Sequence, residues 1–269
     1  MPRSEKAQLA VDLYKELHSR FHWTPETAWR GIALLLLSCE VYTNRWEAFH
    51  GVVTYVDSNR FRDEGTKVKA ERLTAYLAQK LGVPREDLCQ TIGAYWQRPE
   101  IRALQPHNLV GHAFRSLVTT TLQLFGDTEI QYDEEADPHA EFPGYTFQTR
   151  SRRARIDIIA RRGKRPVALV STRWRYRHDR LDLSDEALAY VPALRRQNPS
   201  GHFYAVVGEF DGGRLRKLLD SCPPKSPNAA ISAAVHFAPE LIRDGLGENG
   251  TLEFLRGLDW LIRQTFDWR

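Results

Sequence analysis

The sequence predicts an α/β fold in which a helical N-terminal portion precedes a mixed central sheet flanked by helices. Three observations carry this. Apolar residues recur at helical spacing to about residue 125. After Gly126 the period changes to short runs rich in β-branched and aromatic residues, punctuated by Pro and Gly. Toward the end, helical stretches alternate with further strands. With 269 residues, 42% of them hydrophobic and 11% aromatic, the chain can bury a core as one large domain or two small ones. We divide it into a helical portion at 1–108 packed on an α/β core at 109–269, a division that also fits one continuous domain.

The opening stretch MPRSEKAQLAVDLYKELHSRF is charged and helical in period. Thr24 before Pro25 and Glu26 reads as an N-cap with proline at the first helical position, for a helix running to about Tyr42. GTKVKAERLTAYLAQKLG carries Val68, Leu73, Leu77 and Leu81 on one stripe, with Gly82 as its stop. NLVGHAFRSLVTTTLQLFG is a third helix, ending at Gly126. Strands are predicted in TEIQYD, GYTFQTR, ARIDIIARR and PVALVSTRW, with the tightest turn at Arg162-Gly163-Lys164. LSDEALAYVPALRRQ then reads as a helix with a kink at Pro192, followed by the strand HFYAVVGEF and a helix from Gly213 to Ser221. The loop CPPKSPNAA, the strand AAVHF and a closing helix GTLEFLRGLDWLIRQTF complete the order.

Cys39, Cys89 and Cys222 are odd in number, far apart and in no zinc-binding spacing, so they read as buried thiols of a reducing compartment. No stretch has signal-peptide character, and IALLLLSCEVY falls far short of the roughly 20 residues that span a bilayer. A cytoplasmic protein without a membrane partner is expected.

The net charge of +4 and pI near 9.0 lean toward an anionic partner. The charge is concentrated: between Phe147 and Arg180 stand twelve Arg or Lys residues and two acids, Asp157 and Asp179. Strand alternation sets Asp157 on the face opposite Ile156 and Ile158, and Ser171 and Arg173 on one face of the next strand. Antiparallel pairing brings Asp157 near Ser171 and Arg173, and Glu186 follows thirteen residues after Arg173 in the first turn of a helix. Two carboxylates from different elements beside a cation suit a metal-dependent phosphodiesterase, because Mg²⁺ takes hard oxygen ligands and keeps several waters. Farther on, Arg177, Asp179 and Arg180 form Arg-x-Asp-Arg. Arg can donate twice to guanine O6 and N7, and Asp accepts from cytosine N4, so this element suits neighbouring G·C pairs.

Together these residues resemble the type II restriction endonucleases of the PD-(D/E)xK fold, in the branch that cuts CCGG and CCNGG. In that branch the strand keeps Ser-x-Lys, the second metal-binding carboxylate arrives from a helix twelve or thirteen residues after the Lys, and Arg-x-Asp-Arg begins four residues after it. Asp157, Ser171-Thr172-Arg173, Glu186 and Arg177-His178-Asp179-Arg180 reproduce both spacings. The resemblance implies Mg²⁺ on Asp157 and Glu186, Ser171 supporting the site, and Arg173 on the scissile phosphate. It implies base reading by Arg177, Asp179 and Arg180, with Arg175 and Arg115 as further DNA contacts. One Arg-x-Asp-Arg reads half of a palindrome, so a homodimer on double-stranded DNA is implied, and a tetramer is compatible. Two positions depart from the pattern: Arg173 stands where the family has Lys, and Arg115 where an acid usually follows the Phe of the upstream helix. A permanently charged guanidinium cannot take part in proton transfer.

Two other classes stay open: a DNA-repair nuclease of the same fold, which needs no Arg-x-Asp-Arg, and a sequence-specific DNA-binding protein with weak or no catalysis. By itself an Arg-rich strand pair reads as a solvated face, Glu186 as favourable charge in a helix's first turn, and Asp179 as a surface ion pair with Arg175 or Arg180. Trp23, Trp29, Trp96 and Trp260 read as core or interface, while Trp174 fits either core or site.

Overall fold

The computed structural model describes residues 5–36, 75, 78–80, 82–87, 106–147, 154–174, 183–209, 212–242 and 254–269. Six strands, β1 (Ile130–Ala136), β2 (Ile156–Arg162), β3 (Arg165–Arg173), β4 (His202–Val207), β5 (Ala233–His236) and β6 (Arg256–Gly257), form one sheet in chain order. β1 to β3 are antiparallel and β3 to β6 parallel. The direction changes at β3. It is reached from β2 by a tight turn in which Gly163 takes φ of +60°, open to glycine without a Cβ penalty. It is left through a helical crossover, as a parallel neighbour requires.

The described helices are α1 (Glu5–Phe21), α2 (Trp29–Leu36), α3 (Pro106–Phe125), α4 (Pro138–Glu141), α5 (Leu183–Gln197), α6 (Gly212–Asp220), α7 (Pro239–Leu241) and α8 (Leu258–Gln264). β3 is buried from Pro166 through Thr172, so both of its faces are covered. One cover is α3: Ser116 Oγ donates to Glu134 Oε2 at 2.6 Å, and Glu134 lies opposite Ile158, on the face away from Asp157. Phe114, Leu117, Val118 and Leu122 form the apolar stripe of α3 and are fully buried, each worth roughly 2 kcal/mol of transfer free energy. The other cover is α5, whose Glu186 reaches Ser171 on the Asp157 face. α1 joins the same core through Tyr14, which accepts from Thr121 Oγ1 of α3 at 3.0 Å and donates to Ala28 O at 3.2 Å.

Several elements differ from expectation. Residues 144–147 of the anticipated strand GYTFQTR are not strand; Asp137 accepts from the His139 N–H to cap α4, and Tyr145 N–H then folds back onto Phe142 O. The rest of that stretch, 148–150, lies outside the described residues. Thr24 does not cap a helix. Its carbonyl accepts from the Thr27 and Ala28 N–H groups in a turn, its hydroxyl meets Glu26 at 2.8 Å, and α2 begins only at Trp29. The closing helix starts at Leu258, because Arg256 and Gly257 pair with β5 as β6. α5 has the predicted bounds with Pro192 inside it. Gly82, at φ +65° with Val83 N–H on Ala78 O, ends its helix as expected; residues 65–74, 76, 77 and 81 of that helix lie outside the described residues.

Cys222 is buried, and burial pushes its thiol up to about 12. Cys39, Cys89 and Trp96 lie outside the described residues. Trp23 and Trp29 are core, as is Trp174, wedged between Phe114 and Phe237 with ring centroids 5.2 and 5.4 Å away. Among the described residues no helix is long and apolar enough to cross a membrane.

Candidate active site

Asp157, Ser171, Arg173 and Glu186 meet at one point. The β2/β3 register pairs Ile158 with Val170, so one step along Asp157 stands opposite Ser171. Asp157 Oδ2 accepts from the Thr172 N–H at 2.8 Å and from the Ser171 and Thr172 hydroxyls at 3.3 Å each. Ser171 Oγ also meets Glu186 Oε2 at 2.9 Å, tying the strand to the first turn of α5. Arg173 closes the group: Nη1 lies 2.7 Å from Asp157 Oδ2 and 2.9 Å from Thr172 O, and Nη2 lies 2.6 Å from Glu186 Oε2. Both carboxylates are largely shielded, with 17% and 10% of their side-chain surfaces exposed.

The electrostatics follow from that crowding. Burial pushes the Glu186 carboxyl up and the nearby Asp157 adds to it, while Arg173 and the Ser171 hydroxyl pull it back, leaving it at about 7. Burial opposes the charge on Arg173, but Asp157 and Glu186 outweigh it and hold the guanidinium above its ordinary value. Tyr190, one helical turn after Glu186, is buried beside this group. Burial, then the Glu186 and Asp157 charges, raise its phenol to about 12, so it stays protonated. Neither Thr172 nor Tyr190 was anticipated. The threonine's closest contacts are made by its backbone N–H and carbonyl, for which no residue type is diagnostic; Tyr190 sits four residues from Glu186, a helical neighbour position that could have revealed it.

Asp157 Oδ2, Thr172 O and Glu186 Oε2 thus converge on one cation. They are the hard oxygens a Mg²⁺ ion takes, and the guanidinium stands in for it. Asp157 Oδ1 and Glu186 Oε1 accept no hydrogen bond among the described residues. The residues therefore fit a divalent ion held by the two carboxylates. No cluster of three or more His, Cys, Asp or Glu is placed for a metal among the described residues.

Part of the positive field is answered from within. Arg155 pairs with Asp137 at 2.6 Å, Arg161 with Asp133 and Glu141, and Arg162 with Asp127 at 2.5 Å and with Glu129. The acids come from β1 and the segments beside it, so the antiparallel β1/β2 pairing matches an acidic strand to a basic one. The run from Asp127 to Glu141 was the available sign. Arg115 is placed similarly, with its Nη1 2.9 Å from Glu135 and its Nε 3.5 Å from Glu134. Strand alternation would send those two acids to opposite faces, but Glu135 takes φ of +53° and both reach the one guanidinium. Arg115 is 9% exposed, in contact with two carboxylates and separate from the Asp157 group. Arg175, Arg177, Asp179 and Arg180 lie outside the described residues.

No family model and no curated protein matches this chain. Among solved structures, the complex of the restriction endonuclease PspGI with substrate DNA aligns over 86% of this chain and 92% of its own, with 15% identity and a TM-score of 0.35. So distant a likeness adds nothing to the geometry of the site.

Proposed function

We propose that the protein is a Mg²⁺-dependent, site-specific endonuclease of duplex DNA, of the type II restriction kind on the PD-(D/E)xK plan, cutting a G·C-rich palindrome with a CCGG or CCNGG core as a homodimer. The observation that carries this reading is the convergence of Asp157 and Glu186, from separate elements, on a single cation. Asp157 and Glu186 would hold the ion between them, where the guanidinium now lies, and when bound it would polarise a scissile phosphate and offset the charge that develops on it. The chain does the positioning. Ser171 and the Thr172 N–H fix the carboxylates on a central strand buried on both faces, so little reorganisation remains at the moment of reaction. Arg173 offers a planar donor pair for phosphate oxygens, a role that requires charge and no proton transfer. Digestion of plasmid DNA with and without Mg²⁺, followed by run-off sequencing of the ends, tests the proposal. Discrete fragments with a common G·C-rich end are expected, whereas cutting at random positions would select a repair-type nuclease.

The Arg-x-Asp-Arg element supplies the proposed specificity. Arg177→Ala, Asp179→Ala and Arg180→Ala are each expected to weaken binding to the cognate duplex by about 1–3 kcal/mol with little change on random DNA, as loss of a base contact does. Equal losses on both duplexes, measured by fluorescence anisotropy, would make these residues phosphate contacts. One observation favours a second reading, a sequence-specific DNA-binding protein without cleavage: Arg173 already neutralises the two carboxylates. Under that reading Mg²⁺ changes neither the DNA nor its affinity.

A further inference from the structure

The arrangement around Arg173 has a consequence that a lysine at that position would not impose. A lysine ammonium is a point charge on a flexible stem, whereas a guanidinium presents a rigid fork that engages two acceptors at once. Here the fork is fully used: one nitrogen serves Asp157 Oδ2 and Thr172 O, the other Glu186 Oε2. The same carboxylates are the ones a divalent ion would need. Asp157 Oδ2 and Glu186 Oε2 face each other across the guanidinium, so an ion seated between these two oxygens takes its place. The Arg173 side chain is one-third exposed, so a path outward exists.

We propose that Arg173 is the resident, exchangeable cation of this site: a divalent ion enters only by expelling the guanidinium from between Asp157 and Glu186, and Arg173 thereby holds the metal-free protein in a self-closed state. This rests on the reading of Asp157 and Glu186 as metal ligands. The expelled guanidinium, still charged, is then free for an anion. A phosphate oxygen pair is the acceptor that matches its fork. Expulsion takes with it at least two charge-assisted hydrogen bonds, so the apparent metal affinity is lowered by the fraction of molecules in which the site is open.

Calorimetric titration of the DNA-free protein with Ca²⁺ tests this without any cleavage readout. Arg173→Met is expected to bind Ca²⁺ at least tenfold more tightly than the unaltered protein, with Arg173→Lys in between because it keeps the charge and loses the fork. Circular dichroism of each variant reports folding, and Arg173→Lys keeps the comparison valid should Arg173→Met fail to fold. Repeating the titration at 1 M salt, where the Debye length is ~3 Å, should preserve the ratio if the guanidinium occupies the site. A ratio that collapses at high salt would show action through space and overturn the proposal. Equal affinities within twofold for all three proteins would overturn it too, leaving the metal site itself intact. If neither variant binds Ca²⁺, or if Arg173→Met binds equally well after Asp157→Asn is added, the metal assignment falls and this inference with it.

Discussion

Asp157→Asn and Glu186→Gln are each expected to reduce DNA cleavage at least about 10³-fold, some 4 kcal/mol of barrier, while leaving cognate binding within about threefold. The amide replacements are chosen over alanine for a structural reason. Asp157 Oδ2 accepts the Thr172 N–H at 2.8 Å, and truncation would leave that buried donor bare at a cost of about 1–3 kcal/mol, mixing a folding defect into the kinetics. An asparagine keeps a carbonyl oxygen for that donor and removes the charge. Likewise glutamine at 186 can keep the Ser171 hydroxyl bond at 2.9 Å. Each substitution takes one of the two negative charges that a divalent ion would need, and neither touches Arg177, Asp179 or Arg180. Single-turnover cleavage with saturating protein, alongside anisotropy on the same duplex, separates the two effects. Cleavage within tenfold of the unaltered protein by either variant would remove that residue from the catalytic site.

The chemistry of this site was legible because it is carried by short spacings within one hairpin and the next helix. Asp157, Ser171 and Arg173 are placed by strand alternation and a glycine turn at Gly163, and Glu186 by the first turn of α5, all of which are local rules. What the sequence concealed is non-local. That Arg155, Arg161 and Arg162 are answered by acids of β1 and its flanks depends on which strand lies beside β2, so these three look freer in the sequence than they are. The pairing of Arg115 with two consecutive glutamates needs a left-handed residue at Glu135, which no composition signals. β6 is two residues long, too short to carry any period, so its residues were absorbed into the helix that follows. GYTFQTR has strand composition, but its first four residues pack as loop, with Phe147 set edge-on against Tyr190 at 5.3 Å; tertiary packing overrode a weak local preference there.

His236, on β5, is expected to give the folded protein a stability contribution that acid removes. The imidazole is fully buried, and burial drives its pKa down to about 3 despite a hydrogen bond with the backbone of Glu209. Its Nδ1 accepts the Ala238 N–H at 3.1 Å, which fixes the neutral ring with its proton on Nε2. An unfolded histidine titrates near 6.5. Because the folded pKa lies below that, the unfolded chain binds the extra proton first. The stabilisation is complete above pH ~6.5 and is lost as pH falls toward about 3, by about 1.4 kcal/mol per pH unit. Glu186 works in the opposite sense: its folded value of about 7 lies above that of an unfolded carboxyl, so protonation between pH 7 and ~4.5 favours the folded state. The two contributions oppose each other in the unaltered protein, so its own pH profile does not separate them. The difference between proteins exposes them. Urea unfolding of the unaltered chain and of His236→Asn, compared at pH 7.5 and 4.5, should show the stability advantage of histidine shrinking by about 2–3 kcal/mol at the lower pH. Glu186→Gln should shift in the other direction over the same interval. An advantage for histidine that stays constant within about 0.5 kcal/mol would mean that the ring can take up a proton inside the folded protein, and that the site beneath β5 is wetter or more negative than its burial implies.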